Sequence, residues 1–348
     1  MEENNIYDLE EEQLEYRYSI TSYGADYPVD SVVKRINEDV IFVPPFQRKF
    51  VWNINQASRF IESLILGLPV PGVFLSKERG TNRLIIIDGQ QRLLSLSSFY
   101  SGIFKNKVFT LQGVQPDLEG LSYKDLNPED KIRLDDSIIH ATVIRQDEPD
   151  DDESSIYMIF ERLNTGGRPL TAQEIRACIY YGNFNEYLNK LTENVSWRLI
   201  FGKQNERMKE QELILRFFAL YYFGTSYSKP LKSFLNSFMV KNRDFEIKSK
   251  EELDRLFTST IKLISDNIGS SAFKIGKVIN AAAFDAVMIG IAKRIMEKEI
   301  NNIPELKKQH ELLIQNPSFV DATKAGTSDE KVVKDRIDLS IRQFQNVG

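Results

Sequence analysis

Short apolar runs and helical repeats alternate along the first 145 residues of the chain. Apolar positions 60, 61, 64 and 65 lie on one face of a helix, with Asn53 available as its N-cap and Gly67 near its end. The runs that predict strands are Val40–Val43, Val73–Leu75, Leu84–Ile87, Phe109–Leu111 and Ile138–Ile144. The second and third of these bracket a turn at residues 80–82.

Beyond the acidic segment 147–153 the pattern is helical to the end of the chain. Capping boxes at Thr171–Glu174 and Thr327–Glu330 predict two helix starts, and Leu213–Phe223 predicts a buried, aromatic-rich helix. The sequence therefore predicts an α+β protein, with a mixed α/β domain before an all-helical one. The expected boundaries are an acidic tail at 1–16, the α/β domain at 17–180 and the helical domain at 181–348.

Cysteine and histidine are too rare for several classes of site. The chain has 348 residues, more than one core usually supports, but a single cysteine, Cys178, and two histidines. A disulfide within the chain and a thiolate zinc site are thus excluded. We expect His140 to be structural, since it lies in an apolar strand, and His310 to be exposed on a polar helix.

Charge and hydropathy predict a cytoplasmic protein. Residues 1–16 are acidic and do not resemble a signal peptide, and the most apolar stretch, 279–292, contains Asp285 and is too short to span a bilayer. The net charge of -5 argues against binding to DNA through bulk charge, although a local basic groove stays open.

The segment Asp88–Arg92 (DGQQR) carries the strongest chemical pattern. It lies between an apolar strand and a predicted helix, whose N-terminal amides favour anions. Gly89 permits a close approach of a ligand to the backbone, and Arg92 suits phosphate oxygens. The alternative is that Asp88 only caps the helix while Arg92 forms a surface ion pair.

A second Gln–Arg pair follows another predicted strand. The segment 44–52 (PPFQRKFVW) contains Gln47 and Arg48, and neighbouring strands would bring both Gln–Arg pairs into one cationic patch. Its aromatic residues, Phe46, Phe50 and Trp52, are candidates for stacking on a base.

The chain resembles the N-terminal domain family of GmrSD-type restriction endonucleases over roughly residues 25–225. The resemblance rests on four segments: residues 43–52, 56–71, 87–92 (IDGQQR) and 160–176 (FERLNTGGRPLTAQEIR). It implies a ParB/sulfiredoxin-like fold that binds a nucleoside triphosphate, with hydrolysis dependent on the DGQQR segment and coupled to restriction of modified phage DNA.

The resemblance assigns roles position by position. The implied catalytic residues are Asp88, Gln90, Gln91 and Arg92, and the implied nucleotide-binding residues are Gln47, Arg48, Gly89, Arg92, Asn164 and Arg168. Asp88 with Gln90 or Gln91 would orient water or a divalent ion such as Mg²⁺. We expect no dedicated protein metal site, and the chain has no Walker A motif.

Many relatives continue into an HNH nuclease domain, which needs a histidine base beside a metal. After residue 145 this chain has only His310, so we expect no HNH site. The sequence favours a nucleoside triphosphatase in anti-phage defence, with a separate nuclease subunit as a candidate partner. The alternative is a DNA-binding module that senses modified DNA and regulates that nuclease, with nucleotide hydrolysis incidental.

Overall fold

The computed structural model describes residues 19–43, 50–78, 81–148, 154–163, 170–205 and 207–348. The described residues form two compact units, one within 17–169 and one within 170–348. We call them the α/β unit and the helical unit.

The α/β unit contains a five-stranded sheet, a small hairpin and several helices. Its strands are β1 (Ser19–Pro28), β2 (Ile41–Phe42), β3 (Val73–Lys77), β4 (Leu84–Asp88), β5 (Ile103–Phe104), β6 (Lys107–Val108) and β7 (Ile138–Glu148). Its helices are α1 (Val29–Asn37), α2 (Ile54–Ile65), α3 (Gln90–Ser101), α4 (Pro128–Asp136) and α5 (Ser154–Leu163).

The main sheet is mixed and has the order β1-β7-β3-β4-β2. Strand β4 is antiparallel to β3 and parallel to β2, while β7 is parallel to β3 and antiparallel to β1. One face carries Leu75, Ile86 and Val143 into a core that also contains residues of α1, α2 and α3. The α+β prediction is confirmed, as are the strand predictions for β3, β4 and β7.

The helical unit buries large aromatic and aliphatic side chains between its helices. The helices are α6 (Ala172–Ile179), α7 (Asn183–Leu191), α8 (Val195–Phe201), α9 (Lys209–Phe223), α10 (Leu231–Lys241), α11 (Lys250–Asn267), α12 (Ala281–Glu297), α13 (Ile303–Gln315), α14 (Pro317–Asp321) and α15 (Glu330–Phe344). A hairpin of β8 (Lys274–Ile275) and β9 (Val278–Ile279) interrupts the helical pattern. The predicted capping box at Thr171 is confirmed, and so is the buried helix α9.

Two local predictions are wrong. Residues Phe109–Leu111 do not form a strand; the amide of Leu111 instead bonds to the carbonyl of Leu121, within irregular chain. Helix α15 is capped by Asp329, whose side chain accepts from the Lys331 amide, and not by Thr327. Only in the second case does a local side-chain hydrogen bond account for the difference, because Asp329 competes with Thr327 for the role of cap.

His310 is buried, which contradicts the expectation of an exposed residue. It lies with Leu306 and Leu313 on the inward face of α13, and its Nε2 hydrogen-bonds the carbonyl oxygen of Ala272 at 2.8 Å. Burial lowers the pKa of His310, so the neutral imidazole is the form that the core favours. The polar neighbours of His310 in the sequence occupy the opposite face of the helix.

Within the described ranges, no helix is long and apolar enough to cross a membrane.

Candidate functional site at the junction of β4 and α3

The DGQQR segment lies where the sequence predicts it, at a strand-to-helix junction. Asp88 is the last residue of β4, Gly89 is the N-cap, and Gln90 is the first residue of α3. Four buried apolar residues precede Asp88, so its carboxylate is exposed at the point where the strand ends. Half of the Asp88 side chain is exposed.

An irregularity in the β3–β4 ladder lies directly at this junction. Leu75 is paired with Ile86, whereas Phe74 is paired with Asp88, so β4 has one extra residue at this point. A bulge of this kind redirects the side chains that follow it. Asp88 therefore lies opposite Phe74, and the two side chains project from the same face of the sheet.

Gly89 is required by both its conformation and its surroundings. Its φ of +97° lies in the left-handed region, and a Cβ at this position would lie 2.4 Å from Cγ1 of Val73. The same Cβ would lie 3.2 Å from a guanidinium nitrogen of Arg92. Gly89 is therefore closely packed between Val73 of β3 and the side chain of Arg92.

Replacing Gly89 with alanine is expected to lower the free energy of unfolding by about 2–5 kcal/mol, through left-handed strain and steric overlap together. Gly102→Ala is the matched control, because φ at Gly102 is +75° but its Cβ would meet nothing within 4 Å. Urea unfolding of both variants measures the difference. Equal losses would show that contact with Val73 is unimportant.

Arg92, in the first turn of α3, forms an ion pair with Asp88 at the end of β4. Its Nη2 donates to Oδ2 of Asp88 at 2.7 Å, and only 14% of the arginine side chain is exposed. The Nε atom is buried and has no hydrogen-bond partner among the described residues. The alternative that Asp88 caps the helix is wrong, because the cap is Gly89 and no side chain serves as cap; the proposed ion pair is present.

Gln91 contacts the backbone of the segment that precedes α2. Its Oε1 accepts hydrogen bonds from the amides of Val51, at 2.9 Å, and Trp52, at 3.1 Å. This carboxamide oxygen is therefore engaged with main chain, which favours a positioning role over the expected contact with water. Gln90, also expected to be catalytic, is half-buried at the start of α3.

The N-terminus of α3 has the features of an anion site. Its cap is a glycine without a side-chain hydrogen bond, and its first turn contains no acidic residue. First-turn amides and the positive end of the helix dipole favour negative charge at such a terminus. The Arg92 guanidinium lies beside Gly89, and its positive charge is paired with the Asp88 carboxylate.

Four of the implied nucleotide-binding residues lie outside the described residues. These are Gln47 and Arg48, and Asn164 and Arg168. Strand β2, which precedes residues 44–49, is the parallel neighbour of β4, with Phe42 opposite Ile85. The carboxyl ends of β2 and β4 thus meet at one edge of the sheet. A cavity shared by Arg48 and Arg92 stays a prediction.

Lys105 is a cation near the site that the sequence did not single out. It lies in the turn between β5 and β6, and its Nζ donates to the carbonyl oxygen of Trp52 at 2.8 Å. The same ammonium group lies 5.3 Å from the ring centre of Phe50. These partners are about fifty residues away in the sequence, so only the tertiary structure reveals the contact.

The aromatic residues considered for base stacking pack onto the domain. Phe50 makes an edge-to-face contact with Phe104, and Trp52 makes one with Phe60. Both rings are half-buried. Their contacts favour a packing role, while Phe46 lies outside the described residues.

The acidic and basic residues of the motif at 174–176 are structural in the helical unit. Glu174 accepts from the Thr171 amide and pairs with Arg207. Arg176 is buried, donating to Glu212 and Asn236. These contacts supply protein partners for the charged groups of both side chains, so neither group needs a ligand.

In the part of the chain that the structure describes, no three His, Cys, Asp or Glu side chains cluster as metal ligands. Asp88 directly precedes Gly89, the cap of α3, and Mg²⁺ commonly binds through one or two carboxylates together with substrate phosphates. The residues present therefore suit an ion that arrives with a phosphorylated ligand.

Comparison with known protein families identifies a match for the α/β unit. Residues 29–181 match the family model of the GmrSD restriction endonuclease N-terminal domain. The match contains β2, β4, α3 and both Gln–Arg pairs. A search of curated proteins found none with significant similarity to the chain.

Proposed function

We propose, from the premise that residues 29–181 form a GmrSD restriction endonuclease N-terminal domain, that the chain binds and hydrolyses a nucleoside triphosphate as a component of a restriction system. The family match supports the restriction system. The junction of β4 and α3 supports the chemistry, because its helix terminus has a glycine cap without a side-chain hydrogen bond, and this terminus and its arginine suit a phosphate group.

The observation that carries the proposal is the position of the Arg92 guanidinium. It lies beside the backbone of Gly89, at the end of α3 where the amides favour anions. Phosphoryl transfer depends mainly on positioning and on neutralising charge, and this arrangement offers both. In this proposal Asp88 keeps Arg92 oriented and also contributes a ligand to Mg²⁺.

Gln47 and Arg48 supply the second cationic contact in this proposal. The support comes from β2, which ends at Phe42 shortly before residues 44–49 and is the parallel neighbour of β4. Val51 and Trp52, which follow these residues in the sequence, donate their amide hydrogens to Oε1 of Gln91. Gln91 would thus position this segment, Gln90 would orient water, and Asn164 and Arg168 would add polar contacts.

DNA cleavage belongs to a separate nuclease in this proposal. An HNH-type centre needs a histidine base beside a metal, whereas His310 is buried against the Ala272 carbonyl. DNA would then act as a regulator of nucleotide turnover, or the chain would sense modified DNA for the nuclease.

Turnover assays with the purified chain test the proposal. With Mg²⁺ and each of the four ribonucleoside triphosphates, we expect release of phosphate from at least one, and no cleavage of plasmid DNA. Absence of turnover with all four, with and without DNA, would contradict it. Mg²⁺-dependent DNA cleavage abolished by replacing an acid within 200–348 would instead reveal a nuclease site in the chain.

A further inference from the structure

A histidine–aspartate pair lies on the main sheet, outside the DGQQR segment. Asp26 of β1 and His140 of β7 are direct cross-strand partners, and Nδ1 of His140 lies 2.7 Å from Oδ1 of Asp26. Both side chains are about two-thirds exposed, at 69% for His140 and 63% for Asp26. The pair is therefore accessible to a ligand.

The hydrogen bond determines which nitrogen of His140 can accept a proton. An ionised carboxylate only accepts hydrogen bonds, so Nδ1 must carry the hydrogen. The neutral imidazole then presents Nε2 as an acceptor. An imidazole oriented in this way by a carboxylate is the arrangement used by histidine general bases.

The strand register places this pair on the same sheet face and at the same sheet edge as Asp88. Phe74 is paired with Asp88 on one side and with Thr142 on the other. His140 precedes Thr142 by two residues, so both project from one face. Two strand spacings and two residues along β7 put the Cα atoms of Asp88 and His140 roughly 12 Å apart.

The backbone at this edge is closely packed. A Cβ at Gly72, just before β3, would lie 2.7 Å from the carbonyl oxygen of His140. On the β4 side of β3, a Cβ at Gly89 would lie 2.4 Å from Cγ1 of Val73. Residues 72–74 thus lie in close contact with both the DGQQR junction and the backbone of His140.

We propose that His140 is the general base of the nucleotide hydrolysis assigned to the DGQQR site, and that Asp26 is its positioning residue. This inference rests on the proposed function. Nε2 of His140 takes a proton from water while the water oxygen bonds to the γ-phosphorus. The bond from that phosphorus to the bridging oxygen breaks, and its electron pair leaves with the nucleoside diphosphate.

Five variants test this assignment in the full-length chain: His140→Ala, Asp26→Asn, Asp26→Glu, Arg92→Ala and Glu129→Gln. We expect His140→Ala to lower kcat by about 10²-fold or more, with KM and the affinity for a non-hydrolysable triphosphate analogue unchanged. Added imidazole should restore part of the lost rate. Asp26→Asn should lower kcat by a smaller factor, and Asp26→Glu should recover more activity than Asp26→Asn.

Glu129→Gln is the matched control, since Glu129 also belongs to an exposed ion pair of the α/β unit, with Arg133. It should leave turnover at the level of the unmodified chain. If His140→Ala keeps normal kcat while Arg92→Ala loses turnover, the assignment of His140 is wrong and the proposed function stands. If the unmodified chain has no turnover, both are wrong. Loss of kcat without imidazole rescue, accompanied by a lower Tm, would assign the pair a structural role and overturn the inference.

Discussion

Asp285→Asn is expected to lower the free energy of unfolding of the helical unit by about 3–5 kcal/mol, the usual cost of removing one partner of a buried ion pair. Asp285 lies on α12 and is fully buried. Arg216 of α9 donates to it at 2.7 Å, and Arg336 of α15 approaches it at 3.3 Å. Loss of the carboxylate charge would leave two buried guanidinium groups without this shared partner.

The cost follows from desolvation rather than from the strength of one hydrogen bond. Both arginines are almost fully buried, and burial lowers the pKa of Arg336 while Asp285 opposes that effect. The three side chains together carry a net charge of +1. Removing the single negative charge therefore worsens an imbalance in a region of low dielectric.

Two further variants make this prediction specific. Asp266→Asn, which removes one partner of the exposed pair with Lys262, should cost less than about 1 kcal/mol. Arg336→Met should cost less than Asp285→Asn, because it leaves one arginine paired with one aspartate. Urea unfolding followed by circular dichroism measures all three. An Asp285 variant as stable as the Asp266 control would show that the charge of Asp285 is not needed.

Arg92→Ala is expected to weaken nucleotide binding by roughly tenfold or more, since a hydrogen bond to a charged group contributes about 1.5–3 kcal/mol. The variant would also remove the positive charge beside Gly89 and leave Asp88 without its ion-pair partner. Turnover should fall with binding. Arg92→Lys should recover binding only in part, because a lysine cannot make the bidentate contacts of a guanidinium group.

Arg133→Ala is the matched control for this experiment. Arg133 also pairs with an acid four residues earlier, Glu129, but 55% of its side chain is exposed on α4. Binding is measured by titration calorimetry with a non-hydrolysable analogue, and folding by Tm. Unchanged affinity in Arg92→Ala, with Tm preserved, would exclude Arg92 from the binding site.

The prediction for His310 is wrong because it was made from the polarity of the adjacent residues in the sequence. His310 is flanked by charged and polar residues, which indicated exposure, yet it shares the inward face of α13 with Leu306 and Leu313. A polar group is buried where a partner exists, and the carbonyl of Ala272, 38 residues away, is that partner. Sequence patterns near His310 do not contain that partner.

The sequence by itself determined the DGQQR junction. An apolar run that ends in Asp-Gly and continues with helical spacing predicts a strand followed directly by a helix, because periodicity acts over a few residues. The same reasoning predicted the capped helices α2 and α6.

Only the tertiary structure decided which partners these residues meet. Gln91 bonds to the backbone at Val51 and Trp52, Asp26 meets His140 across 114 residues, and Asp285 joins three helices. Such contacts depend on strand order, strand register and helix packing. The apolar pattern of the sequence indicates which residues are buried, but not which of them meet. Side chains distant in sequence therefore acquire their roles when the sheet and the helical core assemble.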